Sequence, residues 1–244
     1  MAAGDTASRT TGAYQVDLGV LYGLLSFSLS GNASQEVDRA AGRYRITMTG
    51  EGAGIIHQVE ATGVIRSDRF LPVQTKSYQS LRGRETRLLV SFDHDRRVVE
   101  YHSRGQTLLL GRLRQVDDSL AMPPGRFIDD LASASLNFAA NKLESDGQGN
   151  YRTAVVRRAW KENEGPDDVS PAGYRAEIVP VTFRATPDPG TGRLVGLLDL
   201  GPLSSWARRG HPARLTFDQG RRLESVESSL ILGTTFAVRF STKA

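Results

Sequence analysis

The strongest constraint on the fold is a long succession of short segments in which apolar and polar residues alternate. Leu25–Ser30 reads LSFSLS, and Tyr14–Leu18, Tyr44–Thr49 and Thr86–Phe92 follow the same two-residue period. This period is typical of β-strands that bury one face. Glycine, proline, aspartate or serine ends most of the segments, and many short strands at close spacing predict an antiparallel meander.

One segment, residues 126–141, breaks this pattern and is predicted to be the single long helix. Leu131 and Phe138 recur in it at helical spacing, and two prolines precede it. Asp129 and Asp130 stand in its first turn, where the helix dipole favours negative charge. The predicted fold class is therefore mainly β: a single-domain antiparallel β half-barrel or spiral wrapped around one central α-helix.

The domain organisation follows from length and composition. A chain of 244 residues without an internal linker fits one all-β domain. Residues 1–13 are small and polar and offer nothing to bury, so they are predicted to be a disordered segment, with one β-rich domain over residues 14–242. No stretch approaches the 18 apolar residues of a membrane-spanning helix.

Two stretches of the sequence echo each other. Ser91–Val98 reads SFDHDRRV, and Thr216–Leu223 reads TFDQGRRL. Each has an apolar strand ending in Phe-Asp, two turn residues, and an Arg-Arg pair that opens the next strand, which predicts two β-hairpins. A duplicated reactive site would keep its titrating group, yet Gln219 replaces His94 in the second copy. The echo is therefore interpreted as repeated architecture.

The residues that carry chemistry in enzymes form no recognisable pattern. Cysteine is absent, which excludes thiolate metal sites and thiol nucleophiles, and the four histidines show no HExxH spacing. Asp93, His94, Asp95 and His102 flank one predicted hairpin and are the only local group with metal-ligand chemistry, and such residues are more often solvated turn groups. No GxSxG motif marks a serine nucleophile. The sequence predicts no catalytic residues, no metal and no cofactor.

The large apolar residues are more informative. Five of them lie on or beside the helix and the later strands, where an open sheet curled around one helix would leave an apolar hollow. The predicted ligand-lining residues are Phe127, Leu131, Phe138, Trp160 and Trp206. The alternative is that each is plain core.

The order of these pieces resembles a bacterial envelope family known as domain of unknown function 3108. The resemblance runs from about Tyr14 to Phe240. The matching segments are Tyr14–Ser30, Tyr44–Gly50, Phe70–Val73, Val90–Asp93, Pro123–Phe138, Arg221–Leu223 and Leu232–Gly233. It implies a periplasmic, lipoprotein-carrier-like β half-barrel whose concave face holds a lipid or a lipoprotein tail, and it carries over no catalytic residue.

Three functions follow, in order of preference. The first is a non-enzymatic periplasmic protein, presumed to be exported, that binds a lipid or a lipoprotein acyl chain in a concave apolar face. The second is an envelope scaffolding module that binds a protein partner through strand edges or an arginine-rich face. The third is an unrecognised hydrolase. It would require His57, His94 and His102, or the aspartate pairs, to lie together in one cleft. These pairs are Asp117-Asp118, Asp129-Asp130 and Asp167-Asp168. A net charge of +4 without a long basic run indicates no nucleic-acid partner.

Overall fold

The computed structural model describes residues 7–20, 22–107, 110–160, 164, 167–170, 173–205, 207–208 and 210–243. The first eight strands are β1 (Ser8–Val20), β2 (Leu25–Asp38), β3 (Arg43–Gly52), β4 (Ile55–Arg66), β5 (Arg69–Leu81), β6 (Arg84–Asp93), β7 (Val98–Gln106) and β8 (Leu113–Ala121). After the helix α1 (Leu131–Ala139) come β9 (Glu144–Ser145), β10 (Asn150–Arg158), β11 (Ala176–Pro187), β12 (Leu194–Leu198), β13 (Ala213–Phe217), β14 (Leu223–Ser229) and β15 (Thr235–Lys243). A 3₁₀ turn, Ile231–Gly233, links the last two strands.

All fifteen strands belong to one antiparallel sheet that is not closed by hydrogen bonds. Its order is β8-β7-β6-β5-β4-β3-β2-β1-β15-β14-β13-β12-β11-β10-β9. The first and last strands pair at the middle of the sheet, with Tyr14 opposite Phe240, and β8 and β9 form its edges. The predicted fold class, a mainly β antiparallel half-barrel or spiral with one helix, is confirmed.

The sheet rolls over itself. Val90, Val99 and Val116 of strands β6–β8 pack against Ala154 of β10 and Ala176 of β11. The opposite face of β10 and β11 packs elsewhere, because side chains alternate between the two faces of a strand. The β10–β11 hairpin therefore lies between two layers, and it has apolar residues on both faces.

The inner of those two faces meets the helix. Tyr151 of β10 and Phe183 of β11 pack with Phe138 of α1, while Leu136 of α1 packs with Tyr44 and its neighbours on the other half of the sheet. The helix thus fills the concave side of the roll. Among the described residues, no helix has the length and apolar character needed to cross a bilayer, and α1 has nine residues.

The strands end at two opposite rims, which differ in what lies next to them. We call the rim with the β2–β3, β4–β5, β6–β7, β11–β12 and β13–β14 turns the helix end. Leu136 and Asn137 of α1 contact Tyr44 and Phe70, which are close to those turns. We call the rim with the β1–β2, β3–β4, β5–β6 and β14–β15 turns the far end.

Two boundary predictions are corrected by the structure. Strand β1 begins at Ser8, so residues 8–13 are not disordered: backbone pairing with β2 and β15 orders them although their side chains are small and polar. The helix covers Leu131–Ala139 and not residues 126–141. It begins there because the side chain of Asp130 caps the Ser133 amide, and the preceding backbone pairs with β10 through the Asp129 amide and the Ala154 carbonyl.

The echoed stretches are two hairpins at the helix end, as predicted. Phe92 and Phe217 are both buried, and Asp93 and Asp218 both accept hydrogen bonds from backbone amides of their turns. A proline within a strand sequence predicts an edge or a bulge, and Pro180 pairs with Ala154 of β10. Strand β12 pairs only with Phe183–Pro187, so at Pro180 the other side of β11 is a local edge.

One strand lies later in the chain than its local sequence indicates. The apolar residues of Thr107–Leu113 predict a strand there, but the strand is β8, Leu113–Ala121, and its sequence LRQVDDSLA carries little apolar alternation. It is extended because it pairs with β7 over its whole length. Pairing to a neighbour therefore decides this element more strongly than local pattern does.

Candidate functional site

The concave side holds a buried polar cluster at the start of α1. Asp129 has no exposed surface, and its carboxylate accepts hydrogen bonds from Thr153 Oγ1 (2.6 Å), Asn137 Nδ2 (3.0 Å) and Ser133 Oγ (3.3 Å). Arg69 Nη2 lies 2.7 Å from Asp129 Oδ2 in an ion pair that is itself almost fully buried. Four donors from three different elements, β5, α1 and β10, thus converge on one carboxylate.

The side-chain amide of Asn137 joins the helix to strand β5 by two hydrogen bonds, as a neighbouring strand's backbone would. Its Oδ1 accepts a hydrogen bond from the Phe70 amide (2.9 Å), and its Nδ2 donates to the Phe70 carbonyl (2.8 Å). The amide side chain therefore satisfies both polar groups of one backbone residue inside the core. Because unpaired buried backbone groups are costly, this pair fixes the position of α1 against β5.

The electrostatics of the cluster favour a structural role over a reactive one. Burial raises the pKa of the Asp129 carboxyl, and the Arg69 guanidinium acts in the opposite direction. The four donors nevertheless match an ionised carboxylate, which only accepts hydrogen bonds. With its oxygens occupied in this way, Asp129 offers little to a substrate. We call Arg69, Asp129, Ser133, Asn137 and Thr153 the polar lock.

The helix also has an aromatic anchor. Phe138 is buried and contacts the rings of Tyr151, Phe183 and Phe217 at centroid distances of 4.9, 5.0 and 4.7 Å. The guanidinium of Arg221 lies 4.1 Å from the Phe138 ring centroid and donates to the Tyr151 hydroxyl. Edge-on aromatic contacts of this kind add to the effect of apolar burial. The end of α1 is therefore tightly packed at the helix end.

Beyond α1, toward the far end, the concave face carries apolar side chains that are only half buried. Leu18 of β1 stands opposite Phe27 of β2 and Phe236 of β15, and Met48 of β3 stands opposite Val59 of β4. By strand alternation these residues share the face of Tyr44 and Phe240, which looks toward the helix side. We call Leu18, Phe27, Met48, Val59 and Phe236 the apolar belt.

A tyrosine–histidine pair lies between the helix and the belt. The Tyr14 ring lies over Gly31 and Gly50, where a Cβ atom would stand 2.7 Å and 2.4 Å from it, and its hydroxyl lies 3.2 Å from His57 Nδ1. Burial lowers the pKa of His57 and raises that of Tyr14, so both are neutral near pH 7. The pair crosses three strands because the glycines leave room for the ring.

The remaining histidines lie in separate surroundings. His94 contacts the Pro72 carbonyl at the helix end, His102 pairs with Asp117 on the outer face, and His211 lies in the β12–β13 loop. Within the described ranges, no three His, Asp or Glu side chains are grouped as metal ligands would be. The convergence that a hydrolase or a metal site at Asp93, His94, Asp95 and His102 would require is not seen in that part of the chain.

The five predicted ligand-lining residues are not brought together. Phe127 and Leu131 are 56% and 71% exposed, with the Arg69 guanidinium 4.1 Å from the Phe127 ring. Phe138 is core, and Trp160 lies under the guanidinium of Arg157 at 3.2 Å. Trp206 lies outside the described residues. Lining of a ligand by these residues stays a prediction. The belt was missed because its members are spread over five strands, and only the sheet register brings them together.

Two clefts open along the sheet. One of about 690 Å³ lies along β1, β2, β14 and β15 beside Gly210–Pro212, and one of about 480 Å³ lies on β3–β6. In the first, Asp17 accepts hydrogen bonds from Ser28 Oγ (2.7 Å) and Arg239 Nη1 (2.7 Å). The charged groups there are paired with one another. Members of the apolar belt are among the residues that line both clefts: Leu18, Phe27 and Phe236 in the first, and Met48 and Val59 in the second.

Comparisons with known proteins assign no family to this chain. No family model matches the chain, and no curated protein matches it. A solved structure described as a beta-barrel-like protein of domain of unknown function DUF1849, from Brucella abortus, matches with a TM-score of 0.41 and 10% identity. That match covers 96% of this chain and 95% of the other. That structure belongs to a different family from domain of unknown function 3108, and the comparisons do not support the predicted membership of the 3108 family.

Proposed function

We propose that this protein is a non-enzymatic component of the bacterial envelope that binds a lipid or a lipoprotein acyl chain on the apolar belt. The observation that carries the proposal is the belt itself. Leu18, Phe27, Met48, Val59 and Phe236 line a concave face but remain half buried, while the same face is closed by α1 at the helix end. An apolar chain lying along the belt would complete the burial.

The favourable free energy of such binding would come from the apolar surface area that is removed from water. Burial of apolar surface contributes roughly 25 cal/mol per Å², so covering on the order of 200 Å² would contribute about 5 kcal/mol before the entropic cost of binding. Half-buried side chains on a preformed concave surface lose little further freedom when they are covered. The site would therefore select for apolar shape and length rather than for a particular polar group.

Non-enzymatic action is part of the proposal. It is supported by the polar lock, in which the hydrogen-bonding capacity of the buried Asp129 is taken up by protein donors. It is also supported by the separate surroundings of His57, His94 and His102.

The envelope location rests on the sequence resemblance alone. Cell fractionation of the native producer, followed by immunodetection in the periplasmic and cytoplasmic fractions, tests it. Recovery in the cytoplasm would remove this part of the proposal and leave ligand binding as a separate matter.

Titration with cis-parinaric acid, a fluorescent fatty acid, tests binding on the belt. We expect saturable binding by the wild type, and loss of roughly tenfold or more in affinity for Val59→Trp, which fills the concave face. Ile56→Trp is the matched control, because Ile56 is the neighbouring residue on the outer face and is 39% exposed. Equal affinities in the two variants, with native circular dichroism in both, would contradict a site on the belt.

Native mass spectrometry of protein purified from its own producer without detergent supplies the identity of the ligand. Co-purifying lipid supports the proposal. A ligand-free protein that captures a single envelope protein would favour the scaffolding function instead.

A further inference from the structure

Two turns at the far end lie side by side and form one surface. Strands β1 and β15 pair, which places the β1–β2 turn next to the β14–β15 turn. The Tyr22 amide donates a hydrogen bond to the Gly233 carbonyl (3.1 Å). The Tyr22 ring also fills the space beside Gly233, where a Cβ atom would stand 2.6 Å from it. We call Tyr22, Leu24 and Ile231 the apolar tip.

The apolar tip is directed at solvent. Tyr22 is 88% exposed and Leu24 is 83% exposed, and Ile231 on the adjoining turn is 39% exposed. Turn positions ordinarily carry Gly, Asn, Asp, Ser or Pro, because those residues satisfy turn backbones. Tyr22 takes a left-handed conformation, with φ at 60°, which favours glycine or asparagine. Large apolar residues at such positions add almost nothing to the core, which points to burial against something else.

Cationic groups flank the tip. Arg82, in the β5–β6 turn, has its guanidinium 5.3 Å from the ring centroid of Phe27, three residues after Leu24. Arg82 is exposed and forms no ion pair with any residue that the structure describes. Arg112 and Arg208, in two other far-end loops, are exposed and likewise unpaired within the described ranges.

Carboxylates also lie at the far end, but none that the structure describes forms an ion pair with Arg82. Glu51 and Asp199 are exposed there, and Asp167 of the β10–β11 loop, next to Asp168, accepts a hydrogen bond from the Leu110 amide (2.6 Å). In the β10–β11 loop, Glu164 pairs with Arg114 and Arg158, so its charge is already balanced. The surface next to the tip is therefore suited to an anion, and the tip itself is suited to an apolar medium.

We propose that the far end docks on an anionic phospholipid bilayer, with the apolar tip inserted at the headgroup–acyl boundary and Arg82 against lipid phosphates. Stable peripheral binding takes two signals, an apolar anchor and a basic one, and this rim has both. A protein partner fits less well, because a stable interface buries roughly 800 Å² on each side, more than three tip side chains present. This surface adjoins the apolar belt where Arg82 contacts Phe27, but the tip residues Tyr22, Leu24 and Ile231 are not part of the belt, and docking does not require a ligand there.

Vesicle flotation tests the proposal with the intact protein. We expect the wild type to float with vesicles of 70% phosphatidylcholine and 30% phosphatidylglycerol, less with pure phosphatidylcholine, and less again at high salt. Leu24→Asp and Tyr22→Asn are expected to lower the bound fraction roughly tenfold or more. Asparagine suits Tyr22 because it tolerates the left-handed backbone. Arg82→Gln is expected to weaken binding to the anionic vesicles only.

The matched control is Leu197→Asp, the same change at a half-exposed leucine on the outer face of β12, and it should float as the wild type does. Equal flotation of Leu24→Asp and the wild type would overturn the proposal, as would a wild type that binds neither vesicle. Conversion of a wild-type dimer into a monomer by Leu24→Asp, without vesicle binding, would assign the tip to self-association. Retained cis-parinaric acid binding in the tip variants separates this result from failure at the belt.

Discussion

The chain turns differently at the helix end and in the tight turns of the far end, although Asp167 and Asp199 accept backbone hydrogen bonds in the longer far-end loops. At the helix end, aspartate side chains accept hydrogen bonds from turn amides. These residues are Asp38, Asp93, Asp146, Asp188 and Asp218. The far-end turns at residues 22–24, 53–54, 82–83 and 231–233 contain no aspartate or glutamate and rely on glycine with positive φ.

This difference separates the end of the sheet that stabilises the fold from the end that leaves side chains exposed for binding. The helix end combines capped turns, the polar lock and the aromatic anchor around Phe138, so its polar groups are paired and its apolar groups are packed. The far end leaves Tyr22, Leu24 and Arg82 in solvent and the belt half covered. Substitutions should therefore affect stability at one end and binding at the other.

The largest effect on stability is expected from Asp129→Ala in the polar lock. It removes the carboxylate partner of the Arg69 guanidinium and one of the two acceptors of Asn137 Nδ2 inside the core, and breaking a buried ion pair in this way costs roughly 3–5 kcal/mol. Urea unfolding followed by circular dichroism measures it. Asp68→Ala is the control, an aspartate that is 71% exposed in the adjacent turn and expected to cost less than about 1 kcal/mol. Similar losses in the two variants would mean that the lock does not hold the helix end.

A smaller effect is expected from Asp93→Ala in the β6–β7 hairpin. Asp93 Oδ1 accepts from the Arg96 amide (2.8 Å) and the Asp95 amide (3.1 Å), so its loss should cost about 1 kcal/mol. Asp95→Ala in the same turn removes only an exposed ion pair with Arg66 and should leave the unfolding midpoint unchanged. A reversed order of the two variants would argue against capping as the source of stability.

Leu24→Ser at the far end should change the free energy of unfolding by less than about 0.5 kcal/mol, because the side chain is 83% exposed and contributes little to the core. The same urea series measures it. A loss as large as that of Asp93→Ala would show that the tip supports the fold, and the contrast between the ends would then fail.

The smallest effect is a difference in pH response. Hydrogen bonds from the Thr191 and Gly190 amides lower the pKa of Asp188, and the Asn150 side chain and the Gln148 amide lower that of Asp146. A lowered folded-state pKa gives stability that is present above the unfolded value, about 3.9, and lost as pH falls through the folded value. We expect amide protection in these helix-end turns to fall below about pH 4, with no matching loss in the far-end turns at residues 22–24, 53–54, 82–83 and 231–233.

Hydrogen exchange at pH 3 and pH 6 measures this difference. Asp188→Asn should remove the acid-induced loss in its own turn and leave the turn at Asp146 unchanged. Equal acid sensitivity at both ends would indicate global unfolding instead. Asp129 acts in the opposite sense, because burial raises its pKa, and its contribution to stability falls as pH rises through that value.

Much of the fold was predictable from local pattern, and particular residues show where prediction ended. The alternation in Leu25–Ser30 and the Phe-Asp turns of the echoed hairpins are local signals, and the structure confirms both. Strand β8 and residues 8–13 carry no such signal and are extended because neighbouring strands pair with them. The candidate site was less predictable: of the four proposed residues that the structure describes, only Phe138 is buried, and the belt combines single positions from five strands.

By itself the sequence determined the class of structure, because side-chain alternation, turn residues and a helix-capping Asp act within a few neighbouring positions. It also determined the contrast between acidic and apolar turns. The helix-end turns read DHD, DPG and DQG, and the two turns of the apolar tip read LYGLL and LILG. Only the tertiary structure decided that the sheet rolls over β10 and β11, that Asp129 meets Arg69 across 60 positions, and that two apolar turns become one tip. Those outcomes depend on which strands pair and on how far the sheet coils, and both are set by burial summed over the whole chain.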